Sequence, residues 1–504
     1  MFPSQGTPIG YAKAIADYDL QVIPPHQHSS CAAVAGKHVQ SKGGRDFVTY
    51  SNTYAPGPAL CDHLEFALKH EGVSLEVLAA LFRKVEQRAF EEELCRHIQA
   101  RPTGQNTRRL WFLYEFLTGR RLPLEDATQG NYVELLDPER YYTAQPLNSR
   151  RHRVRNNLLG DVNFCPLVRR TPLLREFEAK QLAKEAAKIV EAYDEDTLRG
   201  AVDYLYTKET RSSFNIEREQ PSQKRAARFV ALLRELPEHS SLDRSALVQM
   251  QNVIVDERFG EQRYRKTQNY VGESVGLRQR VHFIPPRPKM VPRMMRGLLA
   301  ALDRMMVSQT DPVVHAAAIS FGFVFIHPFE DGNGRLHRLL IHYILSRAGV
   351  TPKGFIFPIS AIMLQKRAQY DACLESFSKP LMNLLDYTVD ADGSVSVNGR
   401  TSGLYRYVDF TRMAEDLYQW TEETIHTEFR DELDFLVRYR KAREEIDDLV
   451  ELSDAARNRF VQFCIQNGGR LAKSKRTRYF GALTDTEVQA LEQVVQEHLM
   501  PRTR

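Results

Sequence analysis

Apolar and polar positions divide the chain into helical and non-helical stretches. From Met1 to about Pro58, turn residues separate short β-branched and aromatic alternations such as FVTYSNTY (47–54), and Pro24 and Pro25 stiffen the early chain, which predicts irregular structure with short strands. Between Asp62 and Ile98 the period becomes helical. Ser74 reads as the N-cap of a helix whose Leu75, Leu78, Leu81, Phe82 and Val85 share one side. The helix RRLWFLYEFL stops at Gly119, a residue suited to the turn after a helix. Pro123 to Pro172 reads as extended chain with NYVELL as its most ordered piece.

A second helical zone opens near Pro172 and runs through EFEAKQLAKEAAKIVEAY, TLRGAVDYLYTKETRSSFNIEREQ, AARFVALLREL and ALVQMQNVIV. Between Phe259 and Pro288, RYRKTQNYVGES and LRQRVHFIPPRP alternate aromatic and β-branched residues around glycines, which predicts a β-hairpin. Helices resume at VPRMMRGLLAALDRM, DPVVHAAAISFGFVFI, GRLHRLLIHYILSRAG and KRAQYDACLESF. Asp390 to Thr401 is rich in Gly, Ser and Asp and reads as a linker, followed by helices that include a compact unit from Asp454 to Leu499. No internal repeat is evident.

Composition narrows the class without naming a ligand. The 504 residues are 42% hydrophobic and 26% charged with a net charge of +5, usage that excludes collagenous and wholly disordered chains and gives a prior of roughly three domains. So small an excess of charge does not announce a nucleic-acid or membrane surface. Cys31, Cys61, Cys95, Cys165, Cys373 and Cys464 are scattered without metal or disulfide spacing, which suggests reduced thiols and a cytoplasmic location. The first residues lack the pattern of a signal peptide, and the longest apolar stretch, Ala316 to Ile326, is well short of the ~20 residues that span a bilayer, so no membrane segment is expected.

Residues 327–338, HPFEDGNGRLHR, concentrate the chemistry. Pro328 pushes His327 out of helical geometry and presents its imidazole at a helix end. Gly332 and Gly334 bracket Asn333 in a turn whose amides can converge on an anion, and the next helix points its positive end at the same place. Arg335 and Arg338 are three apart and share a helix face, so two guanidinium forks can reach phosphate oxygens. Asp331 supplies the hard oxygen that Mg²⁺ prefers beside a phosphate chain, and His327 is the best-placed group to accept a proton. His315, His337 and His342 fit no zinc spacing and read as packing residues.

The string matches the signature HPFx(D/E)GNGRxxR of the Fic family at His327, Pro328, Phe329, Asp331, Gly332, Asn333, Gly334, Arg335 and Arg338, with chance odds on the order of 10⁻⁹. Upstream, GEQRYRKTQNYVG and FIPPRPKMVPRMMRGLLAAL resemble the family's flap and Pro-Pro segment, and DPVVHAAAISFGFVFIHPF resembles the helix leading into its active site. Around Tyr370 and Leu374 the chain is similar to the family's helix after the motif. The resemblance covers about residues 205–385, and the N-terminal part is similar to extensions on some bacterial Fic proteins.

This resemblance implies a mainly α fold with a Fic-type helical core, a β-hairpin flap and an N-terminal α+β extension, and the pattern of the remaining chain adds a C-terminal helical unit for which a winged helix is one reading. The expected domains are 1–170, 171–390 and 391–504, with an inhibitory helix near 205–220 and a flap near 259–288. It implies transfer of AMP from ATP to a Ser, Thr or Tyr hydroxyl of a target protein. His327 would be the base and Asp331 the Mg²⁺ ligand. Gly332, Asn333 and Gly334 would stabilise the α-phosphate, Arg335 and Arg338 would grip the later phosphates, and Phe329 would anchor the loop. The flap near Lys266 to Gly272 would hold the target by strand addition.

Ser213 and Glu217 match the family's inhibitory pattern (S/T)xxxE(G/N), which precedes the motif in the N-terminally inhibited class; Arg218 stands where Gly or Asn is expected. Alternatives are removal of AMP, transfer of another phosphate-containing group, or a DNA-binding regulator with a nucleotide-sensing core. The basic run Arg150-Arg151-His152-Arg153 and the run Lys473, Lys475, Arg476 and Arg478 are the candidate nucleic-acid contacts, and a homodimer is a further partner state.

Overall fold

A computed structural model describes residues 6–238, 241–275, 278–390, 393–399 and 401–500. The first five residues, positions 239, 240, 276 and 277, positions 391, 392 and 400 of the Gly/Ser/Asp-rich stretch and the last four residues lie outside the described residues.

Near the N-terminus a four-stranded sheet runs in the order Thr7–Pro8, Gln27–Ala32, Arg45–Ser51, Lys37–Lys42, with the two middle strands parallel. Helices Leu60–His70, Leu75–Lys84, Gln87–Ala100 and Gln105–Thr118 pack beside it. Their ends follow the sequence signals: the Ser74 hydroxyl accepts from the Val77 amide, and Gly119 is left-handed at φ 70°. The stretch read as extended contains a small sheet, Val133–Glu134, Val154–Asn156 and Leu147–Ser149. Two members of its basic run pair inside the extension, while Arg150 is exposed. Arg151 Nη2 and His152 Nε2 meet the Glu115 carboxylate at 2.8 and 3.1 Å, and the Arg151 guanidinium lies 4.9 Å from the Trp111 ring centroid, so His152 is buried and Arg151 mostly covered inside the extension.

The apolar clusters partition the chain differently from its composition. One spans Tyr11 to Leu167 together with Tyr407. The central cluster begins at Tyr142 and runs past residue 390 to Leu433, because helix Thr411–Thr424 returns Met413, Leu417 and Trp420 to the core. A third cluster covers Ala442 to Leu499. Within the span of the central cluster the supposed linker carries a two-stranded hairpin, Tyr387–Val389 with Val395–Val397, whose Val395 is a buried member of that cluster. The terminal unit consists of helices Asp454–Gln466, Lys473–Tyr479 and Asp485–Leu499 against the end of Arg430–Leu449. No strand occurs among the described residues after Val397, so the unit has no wing there.

Helix Pro312–Ile326 is apolar all round and almost wholly buried, as expected for a helix enclosed by others. It packs on Val291–Val307, Thr411–Thr424 and Asn333–Arg347. This approach helix delivers His327, and the motif helix Asn333–Arg347 begins six residues later. Among the described residues no helix is long and apolar enough to cross a membrane.

Candidate active site

His327 terminates the approach helix with φ 52° and ψ 61°, its amide still bonded to the Phe323 carbonyl at 2.9 Å. A helix cannot continue into Pro328, so the left-handed turn swings the imidazole off the helix end. Nδ1 lies 3.2 Å from the Val324 carbonyl. A carbonyl only accepts, so the proton sits on Nδ1 and Nε2 keeps its lone pair. Burial pushes the imidazole pKa down to about 4, with the nearby Arg265 charge adding to the shift, so the ring is neutral at neutral pH.

Arg265 is a residue the motif does not contain. Its amide donates to the Pro328 carbonyl at 2.8 Å and its Nε to the His327 carbonyl at 2.8 Å, while Nη1 reaches the Thr267 carbonyl and Nη2 the Pro286 carbonyl. It is 3% exposed and ties the His-Pro step to both feet of the flap. The flap itself pairs Val271–Val275 antiparallel with Arg278–Phe283, with a register irregularity at Val271/Gly272. Asn269 Nδ2 donates to the Phe329 carbonyl at 3.2 Å, a further tie between flap and loop.

Within the loop, Phe329 is fully buried against Tyr264, with ring centroids 5.6 Å apart. Asn333 differs from the expected phosphate contact. Its Oδ1 accepts from the Phe329 amide at 3.0 Å and its Nδ2 donates to the Phe329 carbonyl at 2.8 Å, so both ends of a 2% exposed side chain shape the loop. Gly332 takes φ 87°, the left-handed turn that starts the motif helix. The amides of Asn333, Gly334 and Arg335 have no hydrogen-bond partner among the described residues, which leaves the helix N-terminus ready for an anion. Asp331 is half exposed; its Oδ1 accepts from the Gly332 amide at 2.5 Å and from Arg335 Nη2 at 3.0 Å. Its Oδ2 has no partner among the described residues, so the donor chemistry fits a hard cation such as Mg²⁺.

Arg338 is 1% exposed and all its donors face the end of the long helix Glu195–Ile216 or Tyr370. Nε donates to Ser213 Oγ at 2.9 Å, Nη2 to the Ser213 carbonyl and to Glu217 Oε1, both at 2.8 Å, and Nη1 to the Tyr370 hydroxyl at 3.5 Å. Arg338, with Arg335 and Arg367 further off, holds the Glu217 carboxyl below its usual range despite the opposing effect of burial. A Cβ at Gly334 would fall 2.2 Å from Glu217 Oε1, so the carboxylate lies directly on the glycine that opens the motif helix.

The long helix ends in a Schellman turn. The Arg218 amide donates to the Asn215 carbonyl at 2.9 Å and the Glu219 amide to the Phe214 carbonyl at 3.1 Å, with Arg218 left-handed at φ 58°. That conformation explains why Gly or Asn suits this position. It also turns Glu219 toward the motif, where its Oε2 lies 2.7 Å from Arg335 Nη1. Glu219 and Arg265 were not singled out by the sequence. Two acidic residues opposite two motif arginines was the available signal for Glu219; nothing local marks Arg265.

The other histidines are packing groups. His315 and His337 are buried, with burial pushing each pKa down to about 3, and His342 Nε2 pairs with buried Glu209 at 2.9 Å.

The model of the Fic/DOC family matches residues 241–345. Over 112 residues the chain is 34% identical to protein adenylyltransferase fic-1 of Caenorhabditis elegans, covering 22% of this chain and 19% of that protein. Over 165 residues it is 30% identical to protein adenylyltransferase Fic of Aedes aegypti, covering 32% of this chain and 26% of that protein. The chain thus spans about a fifth to a quarter of the length of these relatives. A solved Fic domain containing signaling protein from Bacteroides thetaiotaomicron is 18% identical with a TM-score of 0.37, covering 50% of this chain and 96% of that one. The motif loop, its two arginines and the match over residues 241–345 together establish that the chain carries a Fic/DOC family domain.

Proposed function

We propose that the chain is an autoinhibited protein adenylyltransferase, moving AMP from ATP to a Ser, Thr or Tyr hydroxyl of a target protein. The observation that carries this reading is His327: a neutral imidazole with its Nδ1 proton fixed on Val324 and Nε2 open, above a helix N-terminus with unpaired amides. The hydroxyl oxygen attacks the α-phosphorus, its proton passes to His327 Nε2, and the bond from that phosphorus to the β-bridging oxygen breaks, releasing pyrophosphate. The amides of the motif helix offset charge on the α-phosphate, and Arg335 and Arg338 hold the phosphates beyond it. A magnesium ion held by Asp331 would supply further positive charge against the phosphate chain.

Two features support control and targeting. Ser213 and Glu217 occupy the Arg338 guanidinium that the terminal phosphate needs, which supports the N-terminally inhibited class. The flap is a two-stranded sheet, so each strand has one edge open to an added strand of the target, and Val271 on it is 41% exposed.

Parallel incubations with ATP labelled on the α-phosphate or on the γ-phosphate, followed by mass spectrometry, test the reading. AMP appearing on a Ser, Thr or Tyr side chain is the expected result. Transfer of γ-label instead, or loss of AMP from a pre-modified protein without transfer, would assign one of the alternative phosphate chemistries.

A further inference from the structure

Glu219 sits between two guanidinium groups, of which the motif accounts for only one. Its Oε2 is 2.7 Å from Arg335 Nη1 and its Oε1 is bonded by Arg225 Nη1. Arg225 lies in the first turn of helix Gln223–Glu235 and is 9% exposed. Both guanidinium groups lie over the Phe214 ring, 5.0 and 5.1 Å from its centroid, and both reach the Ile254 carbonyl, Arg225 Nε at 2.8 Å and Arg335 Nη1 at 3.3 Å. Two buried like charges at this spacing repel, so an anion between them is required.

A single carboxylate does not exhaust the donors. Arg225 Nη2 and Arg335 Nε are buried and have no partner among the described residues. Three terminal oxygens on a tetrahedral phosphate match such a surplus better than two carboxylate oxygens do. Glu219 is also the most exposed of the three groups, at 34%, and it hangs from the turn whose left-handed residue is not glycine. Its displacement therefore exposes a ready anion site.

We propose that Arg225 and Arg335 form a subsite for the phosphate tail of the nucleotide, and that Glu219 fills it as a second internal anion, separate from Glu217 on Arg338. The identity of the anion rests on the nucleotide-transfer reading. Arg225 thereby becomes a binding residue supplied by the segment just after the inhibitory helix, so withdrawal of that segment's carboxylate both unblocks and completes the phosphate site.

The test is calorimetric titration of the full chain with ATP, AMP and inorganic phosphate, combined with α-labelling of protein. Glu219→Gln should raise ATP affinity about tenfold, about 1.4 kcal/mol, and leave AMP affinity unchanged. Adding Arg225→Met should remove that gain. Arg225→Lys, which keeps the charge but not the fork, should retain part of it and keeps the test readable if the Met variant does not fold. Equal gains for ATP and AMP, no gain at all, or a gain that survives Arg225→Met would overturn the proposal. A gain for inorganic phosphate alone would overturn the nucleotide assignment. An ATP-selective gain with no labelling in any variant would sink the transfer reading while leaving the subsite standing.

Discussion

Two helices end at this site with a non-glycine residue in the left-handed region, Arg218 at φ 58° and His327 at φ 52°, and they serve opposite purposes. Such a conformation costs an L-residue roughly 1–2 kcal/mol. At His327 the strained residue carries the reactive group, and Arg265 fixes the turn through the His327 and Pro328 carbonyls. At Arg218 the strained side chain makes no hydrogen bond or ion pair among the described residues. There the turn matters for its neighbours, because it aims Glu217 and Glu219 at the two motif arginines. On the proposed reading the same backbone device exposes a base on one side and delivers a plug on the other, so the reading requires a side chain at one left-handed position and none at the second.

Loss of the side chain at the His327 end has the largest expected effect. His327→Ala should lower AMP transfer by about 10²–10⁴-fold while ATP binding, measured calorimetrically, persists. Near wild-type labelling would reject the assignment of the base. Asp331→Ala should abolish the Mg²⁺ dependence of ATP affinity and depress transfer on the order of 10²-fold; titration with and without the metal checks it. An unchanged metal dependence would move the ligand to another carboxylate.

On the plug side, Glu217→Gly should raise automodification or target labelling about tenfold, since the carboxylate competes with phosphate for one guanidinium fork. Arg338→Ala should show no such activation, because it removes the clamp together with the plug's partner. A smaller effect concerns pH. With the His327 pKa lowered to about 4, the acid limb of kcat should lie near that value instead of near 6.5. Stability carries the corresponding sign: His315, His327 and His337 are neutral when folded, so their contribution is complete above about pH 6.5. As pH falls from there toward 4 the unfolded chain takes up protons first, and each histidine withdraws about 1.4 kcal/mol per pH unit.

The smallest expected effect separates the two helix ends most directly. Arg218→Gly should relieve the strained turn by about 1 kcal/mol and slow hydrogen exchange of the last turn of helix Glu195–Ile216 roughly fivefold, with inhibition retained. Faster exchange, or activation of the enzyme, would show that the Arg218 side chain itself holds the plug.

Local signals were legible wherever chemistry and geometry lie close in sequence. Ser74, Gly119, Pro328 and Gly332 mark helix ends because their backbone constraints are intrinsic, and residues 327–338 present base, carboxylate, turn and arginines within twelve positions. The pairing of Glu217 with Arg338 was also readable, through its spacing from Ser213. What the sequence could not show depends on neighbours far along the chain. Asn333 looks like a phosphate ligand until the loop closes and its amide meets the Phe329 backbone. Helix Thr411–Thr424 looks separate from the core until Met413, Leu417 and Trp420 pack into it. Arg265 looks like one more exposed cation until the fold brings to it the His327 carbonyl, 62 positions further on, and Arg225 and Glu219 become an anion site only when the end of one helix packs on the start of another. Propensity and motif chemistry act over a few residues and are written locally; which polar group is paired, and by what, is decided by burial, and burial exists only once the tertiary structure has formed.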